Sequence, residues 1–460
     1  MSSKFHLPES AFSNDFANNV VTYALSLLVL LAFLLVLLIY YLLVRWLYDI
    51  LHIKGEFIFV FSLTINSSKT IINSVVVALL VAKTTLSCNN FAKTIVAKGF
   101  DIAVVGSGAA GIAAAIVAAR TGARTLLMDQ RLAAGGTGGY SGLTTLCGLH
   151  DDSGRMMNEG FTREFAEAVG EGSPSQMGKV WVLRYRPEHF LDVAAELIAA
   201  TPNLTTAWNT SVEQVSHADA TITHLNGMPV KAVIDCTGTA EVARAIGAES
   251  LSTDEQTQAP AVVFPLHDIQ RDLSSVVAVA QVLLPLARAG LPPLNFQPHP
   301  EPNSITVKLS GRPDQAANVI DFLRANVPGF EHCRTPCTDF HASERAGRMI
   351  VGQYVLTGDD VLAARKFPDA IARCAWPIEQ WNAAGISRLR YLPPGQFYEI
   401  PARSLRAARV NNLFMAGKTI SADADAIASA RVMGCCLATG AAAGNLAATF
   451  VGSPGTAENP

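Results

Sequence analysis

The segment FDIAVVGSGAAGIAAAIVAARTG, residues 100–122, decides the fold that this sequence predicts. Its first six residues, Phe100 to Val105, form an apolar run typical of a parallel strand that is buried on both faces. They lead directly into a complete G-x-G-x-x-G pattern, from Gly106 to Gly111. An alanine-rich run follows, which favours a helix that Gly122 can end. Strand, glycine loop and helix in this order predict a dinucleotide-binding βαβ unit.

The three glycines of the loop have separate physical roles in such a unit. Gly106 permits the tight turn, Gly108 lets the backbone approach a pyrophosphate, and Gly111 lets the helix pack closely on the strand. The N-terminus of the helix offers unpaired N–H groups and a partial positive charge to the phosphates. The predicted phosphate-binding residues are Gly106, Ser107, Gly108, Ala109, Ala110 and Gly111.

A second short apolar run, RTLLMD, ends at Asp129, about 20 residues beyond the loop. A carboxylate at this position can accept hydrogen bonds from the ribose hydroxyls of an adenosine. We therefore predict that Asp129 and its neighbours Gln130 and Arg131 contact the bound dinucleotide.

The glycine loop alone does not distinguish FAD from NAD. A second glycine-rich stretch begins at Gly135, where an NAD dehydrogenase needs none, and two later strands end in small residues, VKAVIDCTG (230–238) and NLFMAG (412–417). These features resemble the FAD-binding domains of the glutathione-reductase-like superfamily, and the resemblance implies FAD as the cofactor. The further cofactor contacts that it implies are Gly135, Gly136, Thr137, Thr237, Gly238, Gly417 and Ile420.

Over residues 100–448 the chain resembles the bacterial FAD-dependent oxidoreductase family of that superfamily. The stretches that carry the resemblance are GGTGGYSGLTTLCGLHDDSG (135–154), VIDCTGTAEVARAIGAE (233–249), SERAGRMIVGQYVLTGDDVLAARKFPDAIAR (343–373) and NLFMAGKTISADADAIASARVMGCCLATGAAAGNLAA (412–448). The resemblance implies an α/β fold, with a Rossmann-like FAD-binding domain of three layers around a central parallel sheet. An α+β substrate lobe is inserted into that domain.

The expected domain organisation follows from these stretches. The FAD-binding domain comprises residues 99–254 and 401–450, and the substrate lobe comprises residues 255–400. Within the lobe the sequence predicts helices near 273–290 and 313–326 and a strand near 305–309. Residues 451–460 are expected to form a disordered tail.

Residues 1–98 are expected to form an N-terminal membrane segment. Tyr23 to Val44 contains no charged residue and is long enough to cross the hydrocarbon core as a helix. Phe57 to Ala82 is interrupted by polar residues and is either a second span or an interfacial segment. Arg45 and Lys54 follow the first span, which places the catalytic domain in the cytoplasm. Lysine predominates before residue 100 and arginine after it, so a wrongly assigned start or a fused segment is the alternative.

Composition limits the partners of this chain. A formal net charge of −3 over 460 residues gives no electrostatic reason to expect a nucleic-acid partner. The eight cysteines are spread along the chain, so we expect mostly reduced thiols in a reducing compartment. The run from His332 to His341 contains two cysteines and two histidines, but its spacing matches no usual zinc knuckle, and we expect no metal site.

The side chains of a flavoenzyme bind and orient the substrate, since the flavin supplies the redox chemistry. Arg345 and Arg348 are candidates for binding a substrate carboxylate or phosphate, with salt bridges between the lobes as the alternative. Cys147 is a candidate redox residue or a small residue packed beside the flavin, and His150 is a candidate proton donor. Further candidates are Tyr398, Arg403 and Arg431.

Together these features predict a membrane-anchored FAD-dependent oxidoreductase that transfers a hydride from a small organic substrate to the flavin. An NAD-dependent dehydrogenase and a non-catalytic, membrane-tethered FAD-binding protein are the alternatives. A second complete G-x-G-x-x-G, which would indicate an additional NAD(P)H domain, is not evident. Electrons are therefore expected to leave to oxygen, a quinone or a protein partner.

Overall fold

The computed structural model describes residues 99–253, 258–299, 301–336, 340–345, 347–382 and 387–452. All of them belong to one unit of the chain, Lys93–Pro460. The predicted membrane segment and most of the predicted tail lie outside the described residues.

The strands and helices of the described chain are numbered here in chain order. The strands are β1 Phe100–Val105, β2 Thr125–Met128, β3 Thr145–Cys147, β4 Gly170–Met177, β5 Val180–Tyr185, β6 Leu204–Ala207, β7 Val215–Ala218, β8 Thr221–Leu225, β9 Met228–Asp235, β10 Ser250–Ser252, β11 Ala261–Leu266, β12 Leu294–Pro298, β13 Ile305–Ser310, β14 Ala342–Ser343, β15 Arg348–Ile350, β16 Ala370–Cys374, β17 Ile378–Trp381, β18 Ser387–Arg390, β19 Tyr398–Pro401 and β20 Leu413–Met415. The helices are α1 Ala109–Arg120, α2 Gly136–Tyr140, α3 Phe161–Val169, α4 Pro187–Ala200, α5 Glu241–Ala245, α6 Val276–Arg288, α7 Pro313–Asn326, α8 Gly358–Leu362, α9 Ala424–Ala430 and α10 Met433–Gly452. Two short 3₁₀ turns cover Ala402–Leu405 and Gly417–Thr419.

The largest sheet is built around parallel strands in the order β6-β2-β1-β9-β20. β1 is apolar throughout because both of its faces are covered. Ile102 and Val104 lie in the core that also contains α1 and α10. Ala103 and Val105 lie in a second core on the opposite face, together with Met415 of β20. The strand predicted from the sequence is therefore confirmed, and its burial on two faces explains its composition.

The centre of the sheet is parallel, as expected, but antiparallel strands join it, so the sheet as a whole is mixed. β7 and β8 form an antiparallel hairpin that pairs with the start of β9. Asn226 and Gly227 both have positive φ between β8 and β9, as a two-residue hairpin turn requires. Ile222 and Leu225 of this hairpin are buried in the second core. A layer of β-structure thus covers the sheet face on which a helix would lie in a purely alternating α/β fold.

The last helix, α10, packs along the first, α1, and glycines keep this contact close. A Cβ on Gly440 would lie 2.1 Å from the carbonyl oxygen of Ala110, and one on Gly444 would lie 2.6 Å from that of Ala114. Among the described residues, α10 is also the helix that is long and apolar enough to cross a membrane. Its apolar composition is explained by burial, because most of its first half lies in the main core beside α1.

A second sheet, which is antiparallel, has the strand order β12-β13-β11-β14. It lies in the part of the chain between β9 and β20, two strands of the large sheet. α6 and α7 contribute Val282 and Ile320 to a separate core with Phe264 and Leu309 of this sheet. The helices predicted near 273–290 and 313–326 and the strand predicted near 305–309 are confirmed as α6, α7 and β13.

Two cysteines that are far apart in sequence form a disulfide between β16 and α10. Cys374 and Cys435 are separated by 61 positions, with Cα atoms 6.3 Å apart, and both side chains are fully buried. The free thiols among the described residues are Cys147, Cys236, Cys333 and Cys436. The expectation of mostly reduced cysteines therefore does not hold for this pair.

Removing this disulfide is expected to lower the stability of the protein. Replacing Cys374 by alanine should reduce the free energy of unfolding by about 2–4 kcal/mol, because a cross-link over a loop of this length restricts the unfolded chain. Urea unfolding with and without a reductant measures the effect. Cys333→Ala, which removes a buried free thiol, should leave the response to reductant intact. A wild-type protein whose unfolding curve ignores the reductant would contradict this assignment.

Candidate functional site

The carboxyl ends of β1, β9 and β20 open into one cavity of about 440 Å³. Ligands of open α/β sheets bind at such ends, where strand order changes. The predicted cofactor residues that line this cavity are Gly106, Ser107, Gly108, Ala109, Ala110, Asp129, Gln130, Arg131, Gly136, Thr137, Thr237, Gly238 and Gly417. The structure therefore brings together segments that are up to 311 positions apart in sequence, from Gly106 to Gly417.

The glycine loop is shaped by contacts that exclude a side chain. Gly106 has a φ of +95°, and a Cβ there would lie 2.6 Å from the carbonyl oxygen of Cys236. A Cβ on Gly111 would lie 1.7 Å from the carbonyl oxygen of Gly106. The first turn of α1 is thus folded directly onto the end of β1, as the sequence predicts.

The N-terminus of α1 faces the cavity without a side-chain cap. Backbone N–H groups at an uncapped helix N-terminus, with the positive end of the helix dipole, form an anion site suited to a pyrophosphate. Gly108 takes the cap position in extended conformation, and a Cβ there would meet only the Cα of Gly136, at 3.9 Å. These residues fit the phosphate groups of a dinucleotide, because the backbone is bare where the phosphates must approach.

Asp129 holds the loop in place from the end of β2. Its Oδ2 accepts hydrogen bonds from the N–H and the hydroxyl of Ser107, at 2.6 and 2.8 Å. Its Oδ1 accepts one from the N–H of Arg131, at 2.8 Å. The carboxylate therefore orients the glycine loop in addition to the ribose contact predicted from its position.

A buried carboxylate performs the same task at the end of β9. Asp235 is fully buried and accepts hydrogen bonds from the N–H and hydroxyl of Thr237, at 3.0 and 2.7 Å, and from the N–H of Val242. Burial raises the pKa of Asp235 against the opposing effect of these hydrogen bonds. The Thr237-Gly238 turn that lines the cavity is fixed by this side chain.

Three predicted cofactor residues do not line the cavity, and each lies next to residues that do. Gly111 lies beneath the loop, as described above. Gly135 has a φ of +148°, and a Cβ there would lie 2.5 Å from Leu191 of α4. Ile420 is fully buried after the Gly417–Thr419 turn. Their backbone positions support the cavity wall.

Of the four residues predicted to be catalytic, two line the cavity and two do not. Cys147 and Arg345 line the cavity. Arg348 does not, since it is exposed and donates to the hydroxyl of Ser250, at 2.9 Å. His150 is buried away from the lining, its Nδ1 has no partner among the described residues, and burial lowers its pKa. Loss of solvation, with a contribution from Glu379, raises the pKa of Cys147 to about 12, so its thiol stays protonated.

Of the three further candidates, only Arg431 lines the cavity. Tyr398 is fully buried, with its hydroxyl 2.8 Å from that of Ser429, and Arg403 pairs with Asp369 at 3.0 Å. Arg431, by contrast, lines the cavity at the start of α10.

Of the cationic residues that line the cavity, three from separate elements lie near Glu379: Lys308 of β13, Arg345 after β14, and Arg431 after α9. Arg345 is buried, donates from Nη1 to the carbonyl oxygen of Ala259 at 2.6 Å, and lies 4.8 Å from the centroid of the Trp381 ring. The Lys308 Nζ lies 4.4 Å from the same centroid. One indole therefore contacts two cations, an arrangement that its electron-rich face favours. Sequence reasoning missed Lys308, whose signal is a single lysine in the apolar strand ITVKLS.

The carboxylate of Glu379 in β17 lies beside these cations. Its two oxygens accept hydrogen bonds from the indole N–H groups of Trp376 and Trp381, at 3.0 and 2.6 Å. Burial acts to raise the pKa of Glu379, but the positive charges of Arg431 and Lys308 and the two indole hydrogen bonds lower it on balance. Glu379 is therefore ionised at neutral pH.

One group of possible metal ligands lies outside this cavity. Donor atoms of His267, His299 and Glu301 lie within 4.8 Å of one another. His267 Nδ1 is 3.1 Å from a carboxylate oxygen of Glu301 and 2.9 Å from the hydroxyl of Ser304, so polar contacts within the group account for the arrangement. The run from His332 to His341 includes Cys337, which lies outside the described residues.

The sequence profile of the family described as FAD dependent oxidoreductase matches residues 101–289 and 293–454. The match covers both the glycine loop and the elements that return to the cavity from the C-terminal part of the chain. It decides between the two cofactors that the loop alone left open, in favour of FAD. No curated protein matches the chain in a sequence comparison.

Several solved structures have a similar course of the chain at low sequence identity. GidA from Aquifex aeolicus is 12% identical, with a TM-score of 0.47, over 77% of this chain and 66% of that one. A geranylgeranyl bacteriochlorophyll reductase-like protein from Thermoplasma acidophilum is 14% identical, with a TM-score of 0.38, over 76% and 78%. The flavin-dependent brominase Bmp2, as a triple mutant, is 11% identical, with a TM-score of 0.41, over 76% and 80%. At TM-scores below 0.5 these similarities carry no argument about the reaction.

Proposed function

This chain belongs to the FAD-dependent oxidoreductase family, and from this premise we propose that it oxidises a small organic substrate by hydride transfer to FAD. The observation that carries the proposal is the single cavity in which the uncapped N-terminus of α1 and the polar wall around Glu379 and Arg431 both take part. One part of this cavity suits the phosphates of the cofactor, and the other offers charged groups to a substrate.

The residues that would hold FAD are those of the glycine loop, Asp129, Gly136, the Thr237-Gly238 turn and Gly417. FAD, when bound, supplies a two-electron redox centre. The protein side chains bind the substrate and orient it. Cys147 is a protonated thiol at neutral pH, and we assign it a packing role rather than a nucleophilic one.

The electron acceptor and the cellular location extend the proposal. We propose that Tyr23 to Val44 tethers the protein to a membrane, with the catalytic unit on the cytoplasmic side. A second complete G-x-G-x-x-G is not evident in the sequence, so oxygen, a quinone or a protein partner receives the electrons. A quinone is compatible with a membrane location because it is itself dissolved in the bilayer.

The purified full-length protein tests this function. We expect it to contain one FAD per chain, released and identified by mass, and to lose its flavin absorbance when a suitable donor is added anaerobically. A fragment spanning 93–460 should retain FAD and leave the membrane fraction. A colourless, properly folded protein would overturn the assignment. A yellow protein that no donor bleaches would favour the non-catalytic FAD-binding alternative.

A further inference from the structure

Three cations of the cavity wall, Lys308, Arg345 and Arg431, are not paired with a carboxylate among the described residues. The oxygens of Glu379 are occupied by two indole N–H groups instead. Glu379 supplies one negative charge beside three cations, so this wall keeps a net positive charge. Buried cations without a full counter-charge are costly, and the wall therefore suits an anionic ligand.

The donor atoms of these cations are also incompletely used. The Arg431 Nη2 donates to Gln258 and to the carbonyl oxygen of Glu379, at 3.3 and 3.2 Å, but its buried Nε has no partner among the described residues. Arg345 donates from one of its five N–H groups. The Lys308 ammonium lies over the Trp381 ring, and no side-chain hydrogen bond of Lys308 is found among the described groups. The guanidinium and ammonium groups therefore keep free N–H donors at the cavity.

The surfaces beside the cations are apolar. Leu143, Val263, Trp376 and Val432 line the same cavity. Val263 lies directly opposite Lys308 in the pairing of β11 with β13, so an apolar and a cationic side chain stand next to each other on this wall. A matching ligand therefore has an anionic group and an apolar body.

We propose that the substrate is a small organic carboxylate, and that Lys308, Arg345 and Arg431 bind its carboxylate group. The inference rests on the proposed function, since it names the substrate class of the same site. A guanidinium fork matches the two oxygens of a carboxylate, and the apolar walls then hold the carbon body that is to be oxidised. The negative charge of Glu379 offsets one of the three positive charges on the wall. The same charge disfavours a substrate that carries a second anionic group.

Binding of benzoate to the FAD-loaded full-length protein, measured by isothermal titration calorimetry, tests the proposal without turnover. We expect benzoate to bind at least tenfold more tightly than benzamide, which has the same shape without the charge. Inorganic phosphate should bind more weakly than benzoate, because it has no apolar body. Equal affinity for benzoate and benzamide, or tighter binding of phosphate, would overturn the assignment of a carboxylate substrate.

Single substitutions locate the site. Arg345→Leu and Lys308→Met should each weaken benzoate binding at least tenfold, whereas Arg345→Lys should recover part of the loss. Arg348→Leu is the matched control, because Arg348 lies three residues away, is exposed and does not line the cavity. Near-ultraviolet circular dichroism and FAD content establish that each variant is folded. Equal losses in Arg348→Leu and Arg345→Leu, or no loss in the latter, would count against the site.

The dependence of this binding on pH follows from Lys308. Burial, together with the positive charge of Arg345, lowers the pKa of Lys308 to about 8, and Glu379, Cys147 and Arg431 also face it. A protonated lysine attracts the carboxylate, so benzoate affinity should be highest at pH values well below the pKa of about 8 and should fall as the pH rises through it. Lys308→Met should remove this dependence. A pH-independent affinity in the wild-type protein would contradict the role of Lys308.

These outcomes separate the substrate class from the proposed function. If the protein binds benzoate as described but no donor reduces its flavin, the proposed carboxylate site is supported and the proposed oxidoreductase activity is not. If a neutral donor reduces the flavin and benzoate does not bind, the proposed activity is supported and the carboxylate proposal is overturned.

Discussion

Replacing Gly108 by valine is expected to abolish FAD binding while the protein without cofactor still folds. Gly108 has an extended backbone that any residue adopts, and a Cβ there meets only the Cα of Gly136 at 3.9 Å. The valine side chain would nevertheless occupy the space above the N-terminus of α1 that the pyrophosphate needs. We expect the Kd for FAD to rise about a hundredfold or more, on the order of 3 kcal/mol. Loss of the glycine at the cap position should cost the folded apoprotein no more than about 1 kcal/mol.

Titration of the apoprotein with FAD, followed by quenching of flavin fluorescence, measures this effect. Gly452→Val is the control, because a Cβ at that position has no atom within 4 Å. Gly111→Val differs from Gly108→Val because it should affect folding as well as FAD binding. Its Cβ would lie 1.7 Å from the carbonyl oxygen of Gly106, so this variant should lose its fold as well as its cofactor. A folded Gly108→Val protein with wild-type affinity for FAD would disprove the predicted position of the pyrophosphate.

Replacing Gly440 by valine is expected to destabilise the whole unit. A Cβ at this position would lie 2.1 Å from the carbonyl oxygen of Ala110 and 2.8 Å from its Cα, and neither helix backbone can move without opening the main core. Overpacking in such a place costs about 1–3 kcal/mol, and here the clash involves backbone on both sides, so we expect the upper end or more. FAD binding should fall in parallel, since Ala110 belongs to the glycine loop.

Thermal and urea unfolding of the apoprotein measure the loss of stability. Asn445→Val is the control on the same helix, because its side chain is exposed and the β-branched residue carries the same intrinsic cost in a helix. A Gly440→Val protein that unfolds together with the Asn445→Val protein would show that α1 and α10 do not touch at this point.

The glycine loop and its surroundings were predictable because their signal is local. The order of strand, loop, helix and Asp129 lies within 30 residues, Phe100 to Asp129, and every part has a backbone reason that the sequence displays. The second hydrogen-bonding role of Asp129, toward Ser107, was not predicted, because it depends on how closely the end of β2 approaches the loop.

The substrate side of the cavity was less accessible to sequence reasoning. Arg345 and Arg348 have the same chemistry and lie three residues apart, yet one lines the cavity and the other faces solvent. That difference is set by the pairing of β15 with β10, which turns Arg348 toward Ser250. Lys308 depends in the same way on the register of β13 against β11. Long-range pairing leaves no local pattern.

The disulfide and the mixed sheet show two further reasons for incomplete prediction. Cys374 and Cys435 lie 61 positions apart, and only the packing of β16 against α10 brings their Cα atoms to 6.3 Å. The Asn226-Gly227 turn, by contrast, is a readable hairpin signal, and with it the antiparallel β8–β9 pair could have been expected.

The packing of the last helix on the first has a consequence for synthesis on the ribosome. The glycine loop is translated at residues 106–111, but the helix that buries α1 is completed only at residue 452. During the intervening elongation the surface of α1 that α10 covers has no native partner, and the cofactor site lacks its wall at Gly417. We therefore expect this surface to stay exposed, or to form non-native contacts, until α10 leaves the exit tunnel. We expect a chain that stops before α10 to lack part of its main core and of the FAD cavity, and therefore to bind no FAD.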